Sequence, residues 1–163
     1  QFVEQIRAKP PATVGGTAIF MSAEPTGIPL ALLHNVKHNK VLHERNIFLT
    51  IFVEEVPFIK KRARLEITHL RDGFYRMTAR YGFMEKPNIN HIFAAAGEKN
   101  LQLHLPDTIF FLGKETIIAT QNKGMAIWRE KLFSFMSKNS EGAILFFNLP
   151  RQQVVELGVQ IEL

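Results

Sequence analysis

The chain has 163 residues, of which 46% are hydrophobic and 21% charged, with a formal net charge of +5 and no cysteine. That size and composition predict one globular domain able to bury its own core, and the missing cysteine excludes disulfides, thiolate metal sites and cysteine nucleophiles. No uncharged window approaches the roughly 20 apolar residues of a bilayer-spanning helix, so the composition predicts a water-soluble domain.

The opening QFVEQIRAKPPA has neither a signal-peptide pattern nor an initiating methionine and reads as part of something longer. GGTAIFMS, Gly15 to Ser22, is a short apolar run between turn formers and reads as a buried strand. After the loop AEPTG, Pro29 stands where a helix's first turn tolerates it, and Leu32, Leu33 and Val36 form an apolar stripe at helical spacing. His34 and His38 then point away from the stripe and Asn35 and Lys37 flank it; Val41 and Leu42 break the pattern, so the helix stops near Asn39 or Lys40.

NIFLTIFV, Asn46 to Val53, has the branched and aromatic composition of a strand covered on both faces, ended by Glu54, Glu55 and Pro57. Alternation on either side of Asp72-Gly73 predicts an antiparallel hairpin. A loop of Arg71, Asp72 and Gly73, with the glycine left-handed, sets Leu65, Ile67 and His69 against Ala79, Met77 and Tyr75 on one face. Glu66 and Thr68 then oppose Thr78 and Arg76 on a solvated face. NINHIFAAAGEKN reads as a short helix ending at Gly97, and DTIFFLG and KETIIA as strands. Met125, Trp128, Leu132, Phe135 and Met136 form the core stripe of a longer helix that Asn139 closes. GAILFF predicts another helical turn before Pro150. VVELGVQIEL alternates as an edge strand, with Val155, Leu157, Val159, Ile161 and Leu163 inward and Glu156, Gln160 and Glu162 outward. These elements predict an α/β single domain with a mixed parallel and antiparallel sheet flanked by short helices.

LLHNVKHNKVLHE, Leu32 to Glu44, concentrates histidine, lysine and asparagine. His34 and His38 have the four-residue spacing of helical metal ligands, with His43 nearby, but Asn35 stands where a hydrolytic zinc motif places glutamate and two lysines oppose a dication. A polar helix face is the better reading, and no metal is expected. A phosphate site fits more closely: a loop running from a strand into a helix aims backbone N–H groups at an anion, Ser22, Thr26 and Gly27 supply the approach, and His34, Lys37, His38 and Lys40 add charge. Neither GxGxxG nor a Walker lysine motif is present. Covalent catalysis is not suggested, since there is no nucleophile elbow and the adjacent strand residues Glu54 and Glu55 face opposite sides. Basic clusters at Lys37 to Arg45 and at Lys60, Lys61, Arg62 and Arg64 read first as solvated surface. The aromatics do not interleave with them as stacking platforms do, so no nucleic acid is expected.

Several strings occur together: GTAIFM (Gly16 to Met21), LLHNVKHNKVLHE, RYGFME (Arg80 to Glu85), FFLGKET (Phe110 to Thr116), WREKLF (Trp128 to Phe133) and VVELG (Val154 to Gly158). In this order, from Gly16 onward, they resemble the C-terminal cytosolic domain of the KUP/HAK/KT potassium uptake permeases. Gly15, where proline is expected, and RQQ before VVELG are departures that touch no proposed site. The resemblance implies a membrane-embedded part that moves potassium, with proton coupling in bacterial members, and a non-catalytic domain of residues 15–163 on the cytoplasmic face of the cell membrane. Residues 1–14 would be the juxtamembrane connector, whose Arg7 and Lys9 agree with the positive bias of such segments. The family's transport residues lie in the membrane part and none carries over. Some relatives sense a cyclic adenine dinucleotide or another nucleotide; the resemblance thus agrees with the phosphate reading of the loop and helix, whose residues Ser22, Thr26, Gly27, His34, Lys37, His38 and Lys40 are the expected ligand set, with no cofactor required. Docking of the signature helix on the membrane part or on a second copy, giving a homodimer, is the competing expectation, and a stand-alone nucleotide-binding α/β enzyme is the rival from another class.

Overall fold

The computed structural model describes residues 10–113 and 140–157. Its elements are β1 (Ala12–Met21), α1 (Leu30–His34, continued by a wider π turn over Asn35–Asn39), β2 (Val41–Glu54), β3 (Leu65–Arg71), β4 (Phe74–Gly82), α2 (Ile89–Glu98), β5 (Thr108–Gly113), α3 (Ser140–Phe147) and β6 (Val154–Leu157). The strands form one sheet in the order β3-β4-β2-β1-β5-β6. All neighbours are parallel except the β3–β4 hairpin. The mixed α/β architecture is the one expected from the alternation of elements. No helix among the described residues is long and apolar enough to cross a membrane.

Period-two alternation along the central strands feeds two apolar layers. Ile19, Ile47, Leu49, Met77, Tyr81 and Phe110 pack on one face with α2 and α3. Ala18, Phe20, Phe48 and Phe111 pack on the other with Ala31 and Leu32 of α1. Phe20 and Phe111 stack with ring centroids 4.7 Å apart across neighbouring strands.

Several expected boundaries move. β2 begins at Val41 rather than Asn46, because Ala12, Thr13 and Val14 pair with Val41, Leu42 and His43 before the register shifts at Gly15-Gly16. Buried Asn46 sustains this irregular start: its amide donates to the His43 carbonyl at 2.6 Å and its oxygen accepts the His43 N–H at 3.2 Å. His43 is thus a strand residue, and Ala12–Val14 of the expected connector belong to the sheet. The hairpin register is as expected, with Leu65, Ile67 and His69 opposite Ala79, Met77 and Tyr75. The loop is shorter than expected. Arg71 pairs with Phe74, Asp72 (φ 46°) and Gly73 (φ 80°) are both left-handed, and a bulge between His69 and Arg71 restores the register. The face expected to be solvated is so only on β3; on β4 Thr78 is buried and Arg76 half-buried under the loop that follows β1.

Asn88 caps α2 by accepting the Asn90 N–H at 2.9 Å. The helix runs past Gly97 to Glu98, and Asn100 (φ 64°) takes the left-handed turn. β6 is an edge strand in which Leu157 packs inward while Val155 is 38% exposed. KETIIA, the 125–139 helix and the Gly158–Leu163 half of the last strand lie outside the described residues.

Candidate ligand-binding site

Pro29 opens α1, its carbonyl accepting the N–H groups of Leu32 at 3.0 Å and Leu33 at 3.3 Å. Ala31 and Leu32 are buried, Leu33 and Val36 half-buried, as the stripe requires. Asn35 departs from its expected place on a wet flank: only 3% exposed, it donates to the Val41 carbonyl at 2.9 Å and accepts from Asn39 at 2.8 Å. These bonds close the π turn, and Lys40 (φ 54°) reverses the chain into β2. Helical spacing alone assigns Asn35 to the surface; its role depends on the strand that follows. His34 is half-buried and His38 exposed, with their rings stacked at 5.7 Å.

Six of the seven expected ligand residues fall into two groups, and His34 lies between them in the chain, at the end of the α1 segment Leu30–His34. Ser22, Thr26 and Gly27 follow the C-terminal end of β1; Lys37, His38 and Lys40 lie beside its start, where the Ala12 N–H donates to the Lys40 carbonyl at 2.9 Å. The 10 residues of β1 separate these ends by about 30 Å. Much of the first group is engaged locally. The Ser22 hydroxyl bonds the Glu24 carbonyl and N–H at 3.0 and 3.2 Å, and the Gly27 carbonyl accepts from Arg76 at 3.0 Å. One small ligand does not span both groups.

Two concave regions bring other residues together. An open groove of about 660 Å³ runs between the edge strand β3 and the turn after α2, lined by Arg62, Leu65, Ile67, His69, Tyr75 and Lys99 among others. The His69 and Tyr75 rings lie 4.9 Å apart. The hairpin alternation had placed His69 and Tyr75 opposite one another, but only the fold brings Lys99 and Arg62 to them. The second cleft, about 540 Å³, opens at the glycine bulge of β1 and is lined by His43, Arg45, His104 and Asp107. Arg45 donates to the Gln102 carbonyl at 2.6 Å, and burial lowers the His43 imidazole below its ordinary pKa of 6.5. Nδ1 of His43 is buried without a hydrogen-bond partner among the described residues. Among those residues no cluster of three or more His, Asp or Glu is placed to hold a metal.

A third constellation joins the ends of β2 and β4. Glu85 accepts the N–H groups of Gly82 at 2.7 Å and Ile59 at 3.0 Å and pairs with Arg64. Burial pushes the Glu85 carboxyl up, yet the Arg64 hydrogen bond and these two N–H groups together hold it below its ordinary 4.5. The Arg64 guanidinium also lies over the Tyr81 ring, 4.7 Å from its centroid.

Residues 15–163 match the family described as K+ potassium transporter C-terminal domain. A probable potassium transport system protein Kup of Myxococcus xanthus is 53% identical over 94% of this chain and 24% of its own length. A Kup 2 protein of Chromobacterium violaceum is 47% identical over 99% of this chain and 26% of its own, and a Kup protein of Zymomonas mobilis 50% over 92% and 23%. The chain thus spans about a quarter of these relatives' length. No solved structure matches it. With the family pattern covering all but the first 14 residues, this chain belongs to the K+ potassium transporter C-terminal domain family.

Proposed function

We propose that the chain is the cytoplasmic, non-catalytic regulatory domain of a proton-coupled potassium uptake transporter, and that the groove beside β3 takes a nucleotide or cyclic dinucleotide. The observation that carries the ligand reading is the groove's chemistry. His69 and Tyr75 offer a ring pair for a base, while Arg62 and Lys99, neither ion-paired among the described residues, offer charge for phosphate. The groove also joins two elements, the β3 edge and the end of α2. A ligand touching both favours the arrangement in which they are close, and that differential affinity is what coupling to transport requires. Association with a membrane part is supported by the relatives' names and by the share of their length this chain covers.

Calorimetric titration of the chain with a cyclic adenine dinucleotide, ATP and AMP tests this reading. Heat should appear with at least one of them and be lost in His69→Ala and Lys99→Ala, while Lys37→Ala and His38→Ala leave it intact. Loss confined to the latter pair would move the ligand to the α1 turn; no heat with any nucleotide would end the sensing reading.

A second reading concerns the exposed Lys37, His38 and Lys40. Their turn sits beside the start of β1, as the Ala12–Lys40 hydrogen bond fixes, and suits docking on the remainder of the transporter. Charge reversal there should lower uptake by the complete transporter and leave nucleotide heats unchanged.

A further inference from the structure

The ends of β2 and β4 carry exposed apolar side chains on a fixed backbone. Phe58 is 65% exposed, Met84 62% and Val56 44%, in loops cross-linked by Phe83 N–H to the Val56 carbonyl at 2.9 Å and Met84 N–H to the Pro57 carbonyl at 3.2 Å. Glu85 clasps both loops from within. Large apolar tips held out by an ordered backbone mark an interaction surface, since a scattered exposed residue needs no such support. Their surroundings define the partner. Lys60 and Lys86 each stand two residues beyond a tip, and neither forms an ion pair among the described residues. Of the nearby carboxylates, Glu85 is taken by Arg64 and Glu54 by Arg80 at 2.7 Å. Exposed apolar tips with exposed lysines two residues away match an anionic interface with hydrocarbon beneath it.

We infer that Phe58, Met84 and Val56 insert into an anionic lipid surface, with Lys60 and Lys86 against its headgroups. This rests on the reading that the chain is joined to a membrane part. The patch closes the far end of β2, whose 14 residues span about 45 Å from Val41, the partner of Ala12. If the chain's entry and the patch both meet one bilayer, the strands lie along its plane.

Sedimentation of the 163-residue chain with phosphatidylcholine vesicles, with and without phosphatidylglycerol, tests this. Binding should require phosphatidylglycerol, weaken with salt, and fall about tenfold or more in Phe58→Asp/Met84→Asp. Because the chain lacks cysteine, a polarity-sensitive dye on Met84→Cys reports insertion directly as a blue shift on the anionic vesicles, whatever the folding yield of the double variant. Absent binding, binding untouched by the substitutions, or a dye that stays in water overturns the inference. So does vesicle-independent self-association that the same substitutions abolish, which would assign the patch to a second copy. Nucleotide heats on the same samples report the groove separately.

Discussion

Replacing Glu85 by glutamine removes the charge of the clasp while keeping its shape. The Glu85 side chain is 15% exposed and that of Arg64 16%. The carboxylate serves the N–H groups of Gly82 and Ile59 as well as Arg64, whereas an amide turns a donor toward at least one of them. A lost hydrogen bond to a charged group costs about 1.5–3 kcal/mol, and breaking a fully buried pair about 3–5 kcal/mol. With some solvent reaching both partners, we expect about 2–3 kcal/mol, or a fall in Tm of about 4–12 °C for a domain of this size. Urea and thermal unfolding at pH 7 measure it. The pH dependence has a definite sign. Because the folded carboxyl is held below 4.5, the unfolded chain binds more protons in that range. Its contribution is therefore complete above pH 4.5 and is lost as pH falls through the lowered value. Glu85→Gln should lack that component. Arg64→Met alone should also destabilise, and the double variant should lose less than the sum, since it strands no charge. A single variant within about 0.5 kcal/mol of the parent, or a strictly additive cycle, would refute the clasp.

Asn35→Ala leaves the Val41 carbonyl and the Asn39 amide without their partner, and should cost about 1–3 kcal/mol in urea unfolding; an unchanged midpoint would return Asn35 to the surface. Gly82→Ala places a Cβ against the Pro57 carbonyl, so hydrogen exchange at the Phe83 and Met84 amides should accelerate ahead of the rest of the sheet. His43, with its pKa lowered from 6.5 by burial, makes stability decrease as pH falls below 6.5 toward that lowered value, because the unfolded chain takes up the proton first. In His43→Gln that slope should vanish; its persistence would assign the effect to another group.

Local pattern was enough to read the hairpin: alternation around Asp72-Gly73 fixed which side chains oppose one another, although the bulge before Arg71 was invisible because the alternation tolerates one absorbed residue. The start of β2 was harder. Val41 to Arg45 lack a clean apolar run, and their strand depends on pairing with Ala12 to Val14 and on the Asn46 side chain. Asn35 was misplaced for a related reason, since its partners, Asn39 and Val41, belong to the turn and the strand that follow the helix rather than to its face. The candidate site was the least legible part. A cluster rich in histidine and lysine looks like a site in one dimension, but β1 holds its lysines far from Ser22 and Gly27. The groove instead assembles Arg62, His69, Tyr75 and Lys99 from segments whose proximity only the sheet order and the path of α2 create.

Under the proposed function, a ligand in the β3 groove controls potassium movement. Rubidium uptake by a complete transporter carrying this chain, in cells with the cyclic adenine dinucleotide or ATP present or depleted, measures it most directly. The parent should respond to the nucleotide, and His69→Ala/Lys99→Ala should transport at the unliganded rate in both states. Equal nucleotide responses in parent and variant would contradict the account.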